Sequence, residues 1–290
     1  MRIAYFNGKL IDESVVSISI DDPGFLWGAT VTDRVRTYDR KLFRLPEHLR
    51  RFRRSCELCR IPQPVSDASL TEIAEELIAV NSKRASPGDE QVLILFATPG
   101  REKPTLCLYT TAFEGERYRT LLTRGAKLTT IGNLAIPDDC IPRLAKTRSR
   151  MHWWIAEQQV HDLDPEASAL FFDRGYVTET AAANFAVVRD GLVMTPKRGF
   201  VLDGISMQVV EEICRELGIP FAQRMLTLPD CWAADEAFLT STPYGIAPVS
   251  SINGKPIPWP GPILLRIKEH WSCRLGVDPW RQILPGSPTC

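Results

Sequence analysis

Apolar and polar positions alternate over short stretches and then switch to helical spacing. Residues 3–6 and 10–11 flank Asn7-Gly8, and Asn-Gly between apolar runs is a strong hairpin signal. A further strand is expected over residues 15–20, broken by Asp21-Asp22-Pro23-Gly24, with a short helix over 31–36. Residues 38–45 read as a hairpin turning at Asp39-Arg40. Pro46 suits a first helical turn, and Leu49, Phe52, Cys56 and Cys59 follow at helical spacing until Pro62. Asp67 is expected to cap a second helix that has Leu70, Ile73, Leu77 and Ile78 on one face. Strands are expected over 92–96 and 106–110.

Residues 113–124 are charged and weakly patterned, which suits a linker. Beyond it a strand is expected from Ala126 and a helix over 147–160. Hairpins are expected at Asp173-Arg174-Gly175, Asp190-Gly191 and Asn253-Gly254. A helix starting near Ser206 stops at Gly218, residues 237–240 form a buried strand, and a last helix covers 262–273. Hairpins outnumber βαβ units. The fold class is therefore α+β with antiparallel or mixed sheets and flanking helices, in two domains: a small one over 1–118 and a larger one over 119–290 that carries Lys146.

Composition narrows the partners. The chain has 290 residues, 44% of them hydrophobic, and its formal net charge is zero, so nothing global points to nucleic acid or a membrane. No run approaches the roughly 18 apolar residues of a membrane helix. The first residues, MRIAYFNGKLIDES, read as a strand and turn rather than a signal peptide. Eight scattered Cys suit free thiols, and Cys56 and Cys59 lie within a helical pattern with no second pair to complete a metal site. A soluble cytoplasmic protein is the expectation. Motifs such as GxGxxG, GxxxxGKS, HExxH and GxSxG are absent.

A few residues carry chemistry when taken together. Lys146, in IPRLAKTRSRMHWW, is either an exposed charge or a lysine whose pKa Arg148 and Arg150 depress, as a Schiff-base lysine requires. Glu179 is either a strand-end carboxylate in water or the partner of a protonated pyridine nitrogen. Ser206, after Gly204-Ile205, is either an N-cap or a phosphate ligand at a helix start. Ser241-Thr242 offers a second hydroxyl-bearing turn. A lysine, an acid and phosphate donors in this order are the groups a pyridoxal-phosphate site needs.

The chain resembles the class IV aminotransferases, the fold-type IV pyridoxal-phosphate enzymes, which include branched-chain and D-amino-acid aminotransferases and aminodeoxychorismate lyase. The likeness runs from YFNGKLID to the final helix. It is carried by Asn7-Gly8, by DPGFLWG followed by Asp33, by LFRLPEHLRRF, by the Lys146 segment, by VTETAAANFAVV, by LDGIS and by TSTPYGIAPV. The resemblance implies Lys146 as the catalytic lysine and Arg51 on the cofactor phosphate. It implies Glu179 at the ring nitrogen, Leu202 against the ring, and Ile205, Ser206 and Thr242 on the phosphate. It also implies a homodimer.

Departures from the family pattern gather around the substrate. Thr32 stands where the family has an aromatic residue, Met151 where branched-chain enzymes have Tyr, and Asp203 where Pro usually precedes the turn glycine. In the loop ATPGREKP only Arg101 offers a carboxylate ligand. Thr32 and Arg101 are thus the substrate-side candidates. The activity implied is transfer of an amino group between an amino acid and a 2-oxo acid, with Lys146 shuttling the proton from Cα to the cofactor. The alternatives are a lyase releasing pyruvate from aminodeoxychorismate and, more remotely, a binding protein that has lost chemistry.

Overall fold

A computed structural model of the chain describes residues 1–84, 89–132, 136–137 and 140–284. Its contacts divide into two units, Met1–Phe113 with Asp138–Arg150, and Glu114–Pro137 with Met151–Cys290. The first contains β1 (Ile3–Phe6), β2 (Lys9–Asp12), α1 (Pro23–Leu26), β3 (Val31–Tyr38), β4 (Lys41–Leu42), α2 (Leu45–Leu58), α3 (Asp67–Ser82), β5 (Gln91–Thr98) and β6 (Thr105–Ala112). The strands form one sheet in the order β2-β1-β6-β5-β3-β4. Alternate residues of β3, β5 and β6 (Val31 and Val35, Leu93 and Leu95, Leu106 and Leu108) meet the apolar stripes of α2 and α3 in one core with Leu49, Phe52, Leu70 and Leu77. The opposite sheet face carries Thr32, Ile94 and Phe96.

The second unit contains α4 (Arg119–Arg124), β7 (Ala126–Thr130), α5 (Met151–Leu163), β8 (Ala167–Asp173), β9 (Tyr176–Thr180), β10 (Asn184–Arg189), β11 (Leu192–Pro196), α6 (Ile205–Glu216), β12 (Phe221–Arg224), α7 (Leu228–Trp232), β13 (Glu236–Ser241), β14 (Gly245–Ile252), β15 (Lys255–Pro256) and α8 (Pro262–Leu275). Its sheet runs β12-β11-β10-β13-β14-β7-β8-β9, and β9 pairs back to β10. Six strands thereby close into a ring, which removes their exposed edges. The closing pair is Glu179 opposite Asn184. Parallel pairs β11·β12, β14·β7 and β7·β8 make the sheet mixed.

Most elements agree with the sequence pattern, and the mixed-sheet α+β class holds. Both Asn7 and Asn253 adopt positive φ at the hairpin turns, as do Asp39 and Arg40. Residues 31–36 are a strand rather than a helix. Val31 and Val35 share a face in either geometry, and the full ladder to β5 from Val31↔Ala97 to Arg36↔Val92 decides between them. Residues 15–20 are not a strand, and Val15, Ile18 and Ile20 are exposed there. Ser66, not Asp67, caps α3, accepting from Ser69 N–H at 3.1 Å. The helix expected from residue 147 begins at Met151. Residues 146–148 are instead pinned along β3: Thr32 N–H donates to the Lys146 carbonyl (2.9 Å) and Arg148 N–H to the Thr30 carbonyl (2.8 Å). Lys146 therefore packs within the first unit, whereas a boundary at 118/119 assigns it to the second domain.

Candidate active site

Two clusters contain the residues singled out above, one in each unit. The first starts from a buried acid. Asp33 is on the core face of β3 and has no exposed surface. An isolated carboxylate there would be costly, so it needs compensating cations or donors. The first turns of α2 supply them. Arg51 Nε donates to Asp33 Oδ2 (2.9 Å) and Nη2 to Oδ1 (2.7 Å), a two-point clasp, while His48 Nδ1 lies 2.8 Å from Oδ1. Burial pulls the Asp33 pKa upward. The charges of Arg51 and His48 and their hydrogen bonds outweigh it and hold the carboxyl well below the usual range. Burial also lowers the pKa of His48, more than the adjacent Asp33 carboxylate raises it, and the charges of Arg51 and Lys146 add to the lowering.

The same helix holds the lysine. Ser55, one turn beyond Arg51, donates its hydroxyl to the Arg51 carbonyl (2.8 Å) and accepts the Lys146 N–H (3.1 Å). With the Thr32 bond at the Lys146 carbonyl, both backbone groups of the lysine are fixed. Thr32 is buried and donates its hydroxyl to the Leu95 carbonyl at 2.8 Å. Arg101 stands apart from this cluster, exposed and paired with Asp21 at 3.4 Å.

The second cluster sits where the strand ring closes. Asn184 Nδ2 donates to Glu179 Oε2 (3.1 Å) and to the Leu202 carbonyl (2.9 Å). Leu202 N–H donates to Glu179 Oε1 at 3.0 Å. Both oxygens of the half-buried Glu179 are thus oriented, and the Leu202 turn is tied to it. Two residues on, α6 starts. Its N-cap is Gly204, not the expected Ser206, and no side chain caps it. The contrast with α8 is instructive. There too a glycine, Gly261, is the N-cap, but Glu236 of β13 accepts the N–H groups of Ile263 (2.9 Å) and Leu264 (3.0 Å). No such carboxylate serves α6 among the described residues.

The hydroxyls of Ser206, at the second position of α6, and of Thr242, just past β13, have no hydrogen-bond partner among the described residues. The buried Thr240 hydroxyl, on the residue opposite Asn184, has none either. Unanswered N–H groups at a helix start together with such hydroxyls suit an anionic ligand with several acceptor oxygens, such as a phosphate. The Glu179 carboxylate, an acceptor only, suits a cationic or N–H-bearing partner.

Gly204 is required by close approach. A Cβ there would lie 1.8 Å from Asn184 Oδ1 and 3.0 Å from its Cγ. Gly204→Ala is expected to displace the Asn184 amide and cost about 1–3 kcal/mol in urea unfolding. Asn184→Ala removes the obstacle, so a double-mutant cycle should show strong coupling between the two sites. Additive effects would mean that the amide moves aside without consequence.

Sequence reasoning did not single out Asn184, Ser55 or the His48–Asp33 contact as site-building. The available signals were the Asn five residues after Glu179 and the spacing of His48, Arg51 and Ser55 on one face of a helix.

The family model for amino-transferase class IV matches residues 30–252. A provisionally named branched-chain-amino-acid aminotransferase from Methanocaldococcus jannaschii is 29% identical over 92% of this chain and 94% of its own. D-alanine aminotransferase from Bacillus licheniformis is 28% identical over 91% and 93%. Among solved structures, branched-chain aminotransferase from Thermoproteus uzoniensis with norvaline superposes with a TM-score of 0.86 at 23% identity, over 98% of this chain and 97% of its own. A T.th. branched-chain amino acid aminotransferase with pyridoxamine 5'-phosphate gives 0.85 at 24% identity, over 97% and 96%.

Proposed function

Because the chain belongs to the class IV aminotransferases, we propose that it moves an amino group between an amino acid and a 2-oxo acid using pyridoxal 5'-phosphate, bound covalently through Lys146. The observation that carries this reading is the Glu179 carboxylate, oriented on both oxygens by Asn184 and Leu202, beside an α6 start that no side chain caps. These residues fit a phosphorylated pyridine. The α6 N–H groups, that of Ile205 among them, and the Ser206 and Thr242 hydroxyls would take phosphate oxygens, Leu202 would lie against the ring, and Glu179 would hold the proton on the ring nitrogen. Arg51, oriented by Asp33, adds a guanidinium for the phosphate.

When bound, the cofactor supplies an electron sink that makes the substrate Cα–H bond easier to break. The chain's own part in that step is Lys146. Its Nζ would take the proton from Cα and hand it on to the cofactor carbon on the other side of the substrate nitrogen. The fixed backbone of Lys146 limits where that amine reaches, and the small buried Thr32 beside it leaves room for substrate. Relatives named as aminotransferases favour transfer over pyruvate release by a lyase.

A homodimer belongs to the same proposal. Phe25, Leu26 and Trp27 of the α1 segment are 70%, 59% and 81% exposed, an apolar patch of the kind that seeks a partner surface. So does a cytoplasmic location, which the free thiols of the seven described cysteines favour. No described helix is long and apolar enough to cross a membrane.

Borohydride reduction of the holoenzyme followed by peptide mapping tests the central assignment. The expected product is a pyridoxyl label on Lys146. A label on another lysine, or none in the presence of cofactor, refutes it.

A further inference from the structure

Several Asp residues of this chain fold back onto the backbone two residues ahead. Asp12 accepts the Ser14 N–H (2.9 Å), Asp22 that of Gly24 (2.7 Å), Asp164 that of Glu166 (3.0 Å) and Asp278 that of Trp280 (2.9 Å). A short carboxylate readily offers the chain such a turn. Asp203 stands two residues before Ile205, the first residue of α6, so the same reach would give it the Ile205 N–H. That bond is not made. The Ile205 N–H donates to no described residue. The Asp203 carboxylate faces Arg198 instead, with Oδ1 3.5 Å from Nε.

Arg198 is itself well anchored. It lies in a tight turn closed by the Phe200 N–H on the Lys197 carbonyl (3.0 Å), with Gly199 at φ 94°. Its own N–H donates to the Gln223 side chain of β12 (3.2 Å), and its Nη2 donates to Glu211 Oε2 of α6 (2.7 Å). The carboxylate it faces has room to turn. Asp203 is 43% exposed and, with Arg198 and Glu211, borders an open cleft of about 300 Å³. An ion pair this exposed adds little to stability. Its consequence lies in where the carboxylate points. On the Ile205 N–H, Asp203 would answer that donor and the positive end of the helix with a charge the chain already carries, and it would repel a second anion there.

We propose that Arg198 is a positioning residue for the cofactor: it holds the Asp203 carboxylate aside and so keeps the α6 start open to phosphate. The assignment rests on the reading that the α6 start takes the cofactor phosphate, and it adds the residue that keeps those donors free. Without Arg198, the released Asp203 becomes an internal competitor for the Ile205 N–H. Arg198 touches neither cofactor nor substrate in this role and acts only through Asp203.

The test is calorimetric titration of the cofactor-free full chain, at low ionic strength, with inorganic phosphate and with pyridoxal 5'-phosphate. Arg198→Gln is expected to weaken both about 5-fold, the scale of one charge at a helix start. Asp203→Ala should move either by less than about 2-fold, because its carboxylate is already held aside. The double variant decides the matter. With Asp203→Ala in place, Arg198→Gln should cost less than about 2-fold, a rescue that a merely structural role would not give. Arg215→Gln removes the same charge from another exposed arginine beside Glu211 and should change neither ligand. No loss in Arg198→Gln, or a loss of the same size with and without Asp203, overturns the proposal; in the second case the guanidinium acts on the phosphate directly. Ser206→Ala tells the two levels apart. If it weakens phosphate while Arg198→Gln does not, the phosphate reading stands and the role of Arg198 falls. If neither variant changes phosphate binding, the phosphate lies elsewhere and both fall.

Discussion

Lys146→Ala is expected to lower kcat for amino transfer by roughly four orders of magnitude, the upper range for loss of a positioned acid–base group. The fold should persist. The N–H held by Ser55 and the carbonyl held by Thr32 belong to the Lys146 backbone, and alanine keeps both bonds. Unfolding free energy should change by about 1 kcal/mol or less, the centre of the range for point substitutions. Lys146→Arg sharpens the test. Arginine keeps the positive charge but stays protonated at any working pH, so it can neither bond the cofactor carbon nor take a proton from Cα. It should be as inactive as alanine. Added methylamine should restore part of the activity of the alanine variant and none of that of the arginine variant, whose side chain still fills the space. Activity within about 10-fold of the unaltered protein in the alanine variant would remove Lys146 from the chemistry, since covalent and acid–base roles together exceed that.

The separation between chemistry and scaffold at Lys146 also shows what a sequence discloses. Turn chemistry is local, and it was legible: Asn7-Gly8, Asp39-Arg40 and Asn253-Gly254 each combine a residue tolerant of positive φ with the hairpin it closes. Elements whose form depends on a distant partner were not. Val31 and Val35 fit a helix stripe as well as a strand face, and only pairing to β5, about sixty residues away, selects the strand. Residues 15–20 alternate as a strand should, yet among the described residues they pair with no other strand, and their apolar side chains stay exposed. The Lys146 segment shares helical spacing with the run beyond it. Its bonds to Thr30, Thr32 and Ser55 hold it extended until Met151.

The candidate site divides in the same way. Residues proposed to act through their own functional group, such as Lys146, Glu179 and Ser206, could be picked out by type and order. Residues that act by holding another group could not. Asn184 has no reactive chemistry; it matters because its amide joins Glu179 to the Leu202 turn across the closing pair of the strand ring. Ser55 likewise joins Arg51 to Lys146 by hydrogen bonds that span 4 and 91 residues. Such roles exist only once the chain is folded. Sequence can suggest them where spacing is helical and has no means to do so across ninety residues.

The Asp33 clasp gives the largest expected effect on stability. Asp33→Asn keeps the shape and removes the charge, leaving Arg51 with 9% side-chain exposure and no ionised partner at that position. Breaking a buried pair from one side costs about 3–5 kcal/mol, and that loss is expected near pH 7 in urea unfolding. The pH dependence identifies the carboxylate as the source. The folded pKa of Asp33 lies below that of an unfolded Asp, near 3.9, so its stabilisation is complete above about pH 5 and is lost as pH falls through 4 toward the folded value. The gap between the two proteins should therefore narrow below about pH 4, by at most about 1.4 kcal/mol per pH unit. His48 acts earlier. Its folded pKa is also lowered, so the unfolded chain takes up that proton first, and stability falls in both proteins as pH drops through about 6.5. Because the Asp33 carboxylate opposes that lowering, the variant should fall slightly faster there, widening the gap before acid narrows it. A gap that stays constant from pH 7 to pH 3 would show that the loss comes from packing or from a missing hydrogen bond, not from the ionised Asp33 that orients Arg51.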